Sequence, residues 1–383
     1  MPVPFYLHDL DPEAAEAVAK VVATPFLTSG AVGREVEQQL RDFFAIDHAF
    51  LVNSWTNGAV ATLLALGVGP GDEVIVPAMT FIASANVARL VGARPVFVDV
   101  DPETLLIQPE AVAAAVGPRT RAVIPVHLYG RMCDLPGLRA ALGPREDIAI
   151  IEDAAHCFEG LRDGDPPGRH SEAAIFSFYA TKNVTCGEGG AIVTRDPELA
   201  TRLARTRLHG MSELAIDRMR GARYQHWDML CLGTKANLPD LLAALLPPQI
   251  AGARSRLARR EALAARYEAA FGETPLRLPG PVAGSLDARH LFCIHLPPAC
   301  RDEAILALNA RGIGVTVNYR AVPTLTYYRD TYGHGPEDFP VSQHWGDGTL
   351  SLPLYPRLTD RQQDEVIAAL LEDVVPLVQR TQP

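Results

Sequence analysis

No apolar run in this sequence approaches the roughly 20 residues needed to span a bilayer. The amino-terminal stretch MPVPFYLHDLDPE is acidic and lacks the basic-then-apolar order of a secretory signal, so a cytoplasmic location is expected. Positive charge is in deficit. The 35 Lys and Arg face 45 Asp and Glu, a formal net charge of −10, which disfavours general binding to nucleic acid. Cysteine is sparse and scattered: the six, at 133, 157, 186, 231, 293 and 300, form no CxxC pair. That argues against a disulfide framework and a zinc site, and no metal is expected. No internal repeat is found, and only DGDPPG (163–168) reads as pure loop.

What is present is the composition of a globular protein, 48% hydrophobic and 21% charged. At 383 residues the chain exceeds one simple core, which suggests a large domain followed by a smaller one. From residue 49 to 194 apolar β-like runs alternate with helical stretches. AFLVN precedes GAVATLLALGV, EVIVP precedes FIASANVARLVG, PVFVDV precedes PEAVAAAV, and RAVIPVHL precedes LPGLRAALG; IAIIEDA, AAIFSF and GAIVT follow. Continuous apolar strands separated by helices predict an α/β fold with a mostly parallel sheet covered on both faces. Ligands in such sheets sit beyond the carboxyl ends of the strands. The residues to inspect are therefore 53–58, 77–81, 127–130, 153–156 and the loop that holds Lys182. Residues 207–238 read as irregular, and helical pattern returns from Pro239 to Phe271, interrupted at Pro247–Pro248. The tail, with β-like LFCIHL and GVTVNY and two helical stretches, reads as a small α+β unit. The expected division is 1–250 and 251–383.

Chemistry concentrates at the strand ends. Asp153 closes the apolar run IIED, where a carboxylate is costly to bury unpaired. It could cap a helix, or it could hold a cationic ring. Lys182 follows the next strand in FSFYATKNVTCGEGGAIVT, before Gly187, Gly189 and Gly190; it is either a surface lysine or an amine that forms an imine with a cofactor. Ser177 lies between them. In NSWTNGA, Ser54, Thr56 and the N–H groups that open a helix make a phosphate site. In PAMTF, Phe81 could stack on a planar ring. Taken together these features outline a planar, phosphorylated, imine-forming cofactor: pyridoxal phosphate (PLP).

These segments, with GARPVFVDVDPETL, RTRAVIPVHLYG, LHGM, KANLPDLLAALLPPQI, RGIGVTVNYRAVPTLTYY and LSLPLYPRLT, resemble the DegT/DnrJ/EryC1/StrS family of PLP-dependent sugar aminotransferases over nearly the whole chain. DAAH, KNVTCGEGG and ANLPD are most similar to the UDP-4-amino-4-deoxy-L-arabinose aminotransferases within it. The resemblance implies fold type I with a seven-stranded-type sheet, a homodimer with shared active sites, a nucleotide-linked keto-sugar substrate and glutamate as amino donor. It implies Lys182 as the imine-forming lysine and Asp153 as the partner of the ring nitrogen. By the same resemblance His156 falls near the ring hydroxyl, Ser177, Thr56 and the backbone at Trp55 meet the phosphate, and Phe81 stacks on the ring. Asn237 would reach the phosphate from the other subunit. Trp55 stands where the family usually has Gly or Ala, which is expected to reshape the pocket wall. Ala236 and Leu238 replace the aromatic and Arg that often flank Asn237.

Substrate contacts are expected from His127, His209, Tyr319 and Arg223. For His127, a strand-end histidine with a satisfied ring is an equal reading. Arginines 202, 205, 207, 218, 220 and 223 are dense beside the irregular segment and could meet a diphosphate. The expected function is PLP-dependent transfer of an amino group from glutamate to a keto carbon of a nucleotide-activated sugar. The alternatives are a non-nucleotide keto-cyclitol as acceptor, or a non-catalytic regulator of the same fold.

Overall fold

The computed structural model describes residues 2–212, 219–220, 223–224 and 226–381. Seven strands form the central sheet: β1 (His48–Val52), β2 (Glu73–Pro77), β3 (Arg94–Val98), β4 (Thr120–Val123), β5 (Ala149–Asp153), β6 (Ala173–Ser177) and β7 (Gly190–Thr194). Their order is β1-β7-β6-β5-β4-β2-β3. β2, β3, β4, β5 and β6 pair in parallel, whereas β7 runs antiparallel to both β1 and β6. The α/β sheet expected from the sequence is therefore present, with all seven of its runs.

Alternation along the strands shows why both faces are covered. Val74, Ile151, Ala173, Ile175 and Ile192 join the core beneath the helices Trp55–Ala65, Ala83–Leu90 and Pro197–Thr206. Their neighbours Ile75 and Ile150 point the other way, to helices Pro109–Ala115 and Leu135–Ala141. Ala174, Phe176, Ala191 and Val193 share that second face with helix Ala31–Phe44. A period of two in a strand places successive side chains on opposite faces, so an unbroken apolar run is a strand buried twice.

A further core gathers helix Ala253–Phe271, the antiparallel strands Phe292–His295 and Thr349–Leu352, helix Pro298–Ala310 and the carboxy-terminal helical segments. Val3 belongs to this core too, bridging Ile313, so the chain begins among residues that follow 251. Helix Ala253–Phe271 is shared, with Ala253 in a core of the large sheet and Leu263 to Phe271 in this one. The expected helix from Pro239 is broken into Asp240–Ala243, Pro247–Ala251 and Ala253–Phe271. GVTVNY makes no strand, only an isolated bridge from Thr316 to Ser351. Among the described residues, no helix is long and apolar enough to cross a membrane.

Candidate active site

A cavity of about 450 Å3 opens at the carboxyl ends of β1, β2, β5 and β6. That edge is where open α/β sheets bind ligands, because strand ends and helix starts present unpaired backbone there. Ser54, Trp55, Thr56, Phe81, Asp153, His156, Ser177, Lys182 and Tyr319 all border it. The sequence separates these residues by up to 265 positions (319 − 54), and the sheet brings them to one place.

Asp153 is the last residue of β5 and only 5% exposed. One carboxylate oxygen accepts from Ser84 Oγ at 2.7 Å and the other from Ala155 N–H at 3.1 Å. No helix starts after it, so the cap reading fails at this position. Burial raises its pKa, while Ser84, Ala155 and Lys182 pull the other way. Lys182 shares the cavity, in the turn between β6 and β7. Burial lowers its pKa from 10.5 to about 8, against the upward pull of Asp153. The surface-lysine reading gives way on geometry: the side chain is half-buried and borders the cavity.

Opposite them stands the first turn of helix Trp55–Ala65. Ser54 is its N-cap, and its Oγ accepts from Asn57 N–H at 3.1 Å. The N–H groups of Trp55 and Thr56 precede the first intrahelical donor, Gly58, and are left for an anion. Gly190 permits this arrangement, since a Cβ there would lie 2.5 Å from Phe176 O and 3.0 Å from Trp55 N. Strand β7 thus lies directly under the helix start. Buried carboxylate, depressed amine and open helix N-terminus around one cavity fit a phosphorylated pyridine aldehyde. Trp55 borders the cavity yet is 6% exposed, its ring sharing a core with Val52, Ala59 and Ile175; the indole N–H has no partner among the described residues.

Part of the cavity wall is aromatic, from Phe81, His156 and Tyr319. His156 Nδ1 accepts from Tyr129 N–H at 3.2 Å, and its Nε2 is 3.1 Å from Tyr319 Oη. Burial first, then Lys182 and His290, hold the imidazole well below its usual range. Its ring stacks on Tyr319 with centroids 5.8 Å apart, and Tyr319 lies 5.7 Å from the Phe81 ring. Phe81 keeps 52% of its surface exposed. Ser177 Oγ accepts from Tyr179 N–H at 3.3 Å.

Other expected residues are placed elsewhere. His127 is fully buried and does not border the cavity; its Nδ1 accepts from Cys133 N–H at 3.1 Å and its Nε2 lies 2.7 Å from Glu152. Both ring nitrogens are used, so the substrate-contact reading is corrected to the satisfied-ring one. His209 is exposed outside this cavity. Arg223 lies in a two-residue strand paired with Arg220, and neither side chain is described; Arg218 lies outside the described residues. Arg207 is engaged by Glu37 at 3.4 Å and Leu51 O at 3.0 Å, and Arg202 by Glu198 at 3.8 Å. Asn237 does not reach its own chain's cavity. Its Nδ2 donates to Thr28 Oγ1 at 3.0 Å and Ser29 Oγ at 2.8 Å, and its Oδ1 is buried without a partner among the described residues. It makes no cap bond to the helix that starts at Asp240.

Several cavity residues escaped the sequence reading: Thr80, Tyr179, Thr181, Glu188 and Asn318, with Ser84 behind Asp153 and His290 behind Lys182. Thr80 and Ser84, 2.9 Å apart, carried a usable signal in TFIAS at a helix start. His290 carried none.

Residues 8–371 match the profile of the DegT/DnrJ/EryC1/StrS aminotransferase family. Among solved structures, Spr1654 of Streptococcus pneumoniae, described as a sugar aminotransferase, shares 27% identity with a TM-score of 0.92, covering 99% of both chains. It is also known in PMP and PLP forms. DesV of S. venezuelae, solved in complex with a ketimine intermediate, shares 34% identity over 100% of both chains with a TM-score of 0.88. An aminotransferase of the same family from Brucella abortus shares 32% identity over 94% of both chains, with a TM-score of 0.84. With a profile matched across almost its entire length and the site geometry in place, this chain belongs to the DegT/DnrJ/EryC1/StrS aminotransferase family, whose chemistry depends on PLP.

Proposed function

We propose that this PLP-dependent aminotransferase moves an amino group from glutamate onto the keto carbon of a nucleotide-linked sugar. The observation that carries the reading is the pairing of Lys182 and Asp153 across one cavity with an open helix N-terminus. PLP, when bound, supplies a carbonyl carbon that captures amines and a ring that accepts electrons. The chain supplies the rest. Trp55 N–H, Thr56 N–H and the Ser177 hydroxyl would hold the phosphate, and Phe81 would offer its face to the ring. Asp153, buried and fixed by Ser84 and Ala155, would hold the ring nitrogen protonated. His156 orients the ring hydroxyl from its fixed place between Tyr129 and Tyr319. Lys182 would hold the cofactor's carbonyl carbon, and its amine, once released, would be the cavity's base and acid for the proton that moves. Its lowered pKa supports this, because an amine near pH 8 can act as base and, once protonated, as acid.

A homodimer is part of the proposal. Phe26, Leu27, Met229, Leu230 and Leu232 are 47–69% exposed, an apolar set of the kind a second copy covers. Asn237 ties Thr28 and Ser29 into this region, with Thr28 at the surface. This cluster is proposed to complete the partner's phosphate site.

The test is to load the enzyme with pyridoxamine phosphate and add UDP-, TDP- and GDP-linked keto-sugars and a free keto-cyclitol in turn. A nucleotide keto-sugar should regenerate the visible absorbance of PLP, and Lys182→Ala should not respond. Response to the cyclitol alone would overturn the nucleotide part of the reading.

A further inference from the structure

Among the described residues, Lys182 has a side-chain partner behind it. Its Nζ lies 3.5 Å from Nε2 of His290, a residue 108 positions later that is 6% exposed. The tautomer of this histidine follows from its neighbours. Asn183 donates both amide hydrogens, to Glu159 Oε2 at 2.9 Å and to Ala288 O at 2.9 Å. Both partners only accept, so the orientation of the amide is fixed. Its Oδ1 therefore faces His290 Nδ1, 3.1 Å away, and can only accept. Nδ1 must carry the proton, and in a neutral ring Nε2 is then bare. Glu159 cannot swing away, because Arg260 holds it at 2.7 Å and both side chains are 1% exposed. Burial, then Lys182 and Arg260, keep the imidazole well below its usual range and hence uncharged.

We propose that His290 is a positioning residue for Lys182: its Nδ1-protonated tautomer, imposed by Asn183 and the buried Glu159–Arg260 pair, accepts an N–H of the lysine amine and turns the amine's remaining valences toward the cavity. The chain Arg260, Glu159, Asn183, His290, Lys182 has one polarity from end to end. A primary amine rotates freely about its last bond, and an acceptor fixed behind it removes that freedom before chemistry begins. The inference rests on Lys182 being the acting amine. Other charged or titratable groups about the pair are Asp153, His156 on the His290 ring at 4.4 Å, and Tyr6, Asp9, Arg260 and Tyr355 lining a narrow cavity behind Lys182.

The test needs no turnover. The chain has three lysines, Lys20, Lys182 and Lys235, and the first and last are exposed internal standards. Acetic anhydride labelling of the cofactor-free protein across pH, read by peptide mass spectrometry, gives the titration midpoint of Lys182. A neutral acceptor favours the ammonium form over the amine. Removing it in His290→Leu should lower the midpoint by about one pH unit, and His290→Gln, which keeps an acceptor, should restore it. An unchanged or raised midpoint in folded His290→Leu overturns the proposal. So does a 15N spectrum of the wild-type protein that shows the His290 proton on Nε2, a measurement that needs no variant. If these results hold but the PLP-loaded enzyme shows no visible absorbance, the aminotransferase reading fails and the contact stands.

Discussion

Lys182 is held in a place that suits its reactivity and strains the fold. Its pKa falls from 10.5 in the unfolded chain to about 8 in the native one, so the unfolded state binds more protons between these values. Stability must then rise with pH across that window, and below it the penalty of a buried ammonium is fully present. Lys182→Met should accordingly stabilise the cofactor-free protein at pH 7 by on the order of 1–3 kcal/mol. The advantage should shrink from pH 8 and vanish by about 10.5, as measured by denaturant midpoints of both proteins at several pH values. A constant advantage would mean that the methionine gains by packing alone. Asp153 was legible as chemically important from its place at the end of an apolar run. Its partner Ser84 was not, because the two lie 69 positions apart and only the fold joins them.

At the scale of elements, the meeting of β7 with the start of helix Trp55–Ala65 decides whether an anion can be held. Gly190 is required there by crowding: a Cβ at this position would lie within 3.1 Å of backbone atoms of Phe176, Trp55 and Ser54. Gly187, in the same loop, differs: its φ is +86° and nothing lies within 4 Å of a Cβ. Gly190→Ala should therefore push the strand and helix apart, destabilise the protein by about 1–3 kcal/mol and weaken PLP binding at least tenfold. Gly187→Ala should cost about 1 kcal/mol through its dihedral alone and leave PLP affinity nearly unchanged. Cofactor titration beside urea unfolding separates the two, and equal losses of affinity would sink the argument. The glycine-rich bend was visible in the sequence; which glycine faces backbone and which faces open space was not. GVTVNY marks another limit, since an apolar, β-branched run becomes a strand only where a neighbouring edge is free to pair.

For the whole molecule, the question is whether one chain suffices. The proposed shared site makes a specific demand on mixtures. Lys182→Ala chains and Asn237→Ala chains should each be nearly inactive alone. After subunit exchange, a mixed dimer would hold one intact and one doubly damaged site, so activity should recover to about one quarter of wild type. No recovery, with exchange verified by native mass spectrometry, would leave Asn237 acting only on Thr28 and Ser29 of its own chain.

The sequence by itself determined the α/β class, all seven strands of the sheet and the strand ends where chemistry would gather, because buried parallel strands need continuous apolar runs and their carboxyl ends carry the ligand. It also contained Lys182, Asp153, Ser54, Thr56 and Ser177 as a set, since each ends a strand or lies in the loop or turn after one. Only the tertiary structure decided that His127 turns to Glu152 while Tyr319 turns to the cavity, that Val3 joins the second core, and that His290 stands behind Lys182. Those outcomes depend on which distant segments pack together, and hydrophobic periodicity reports that a residue is buried without saying against what.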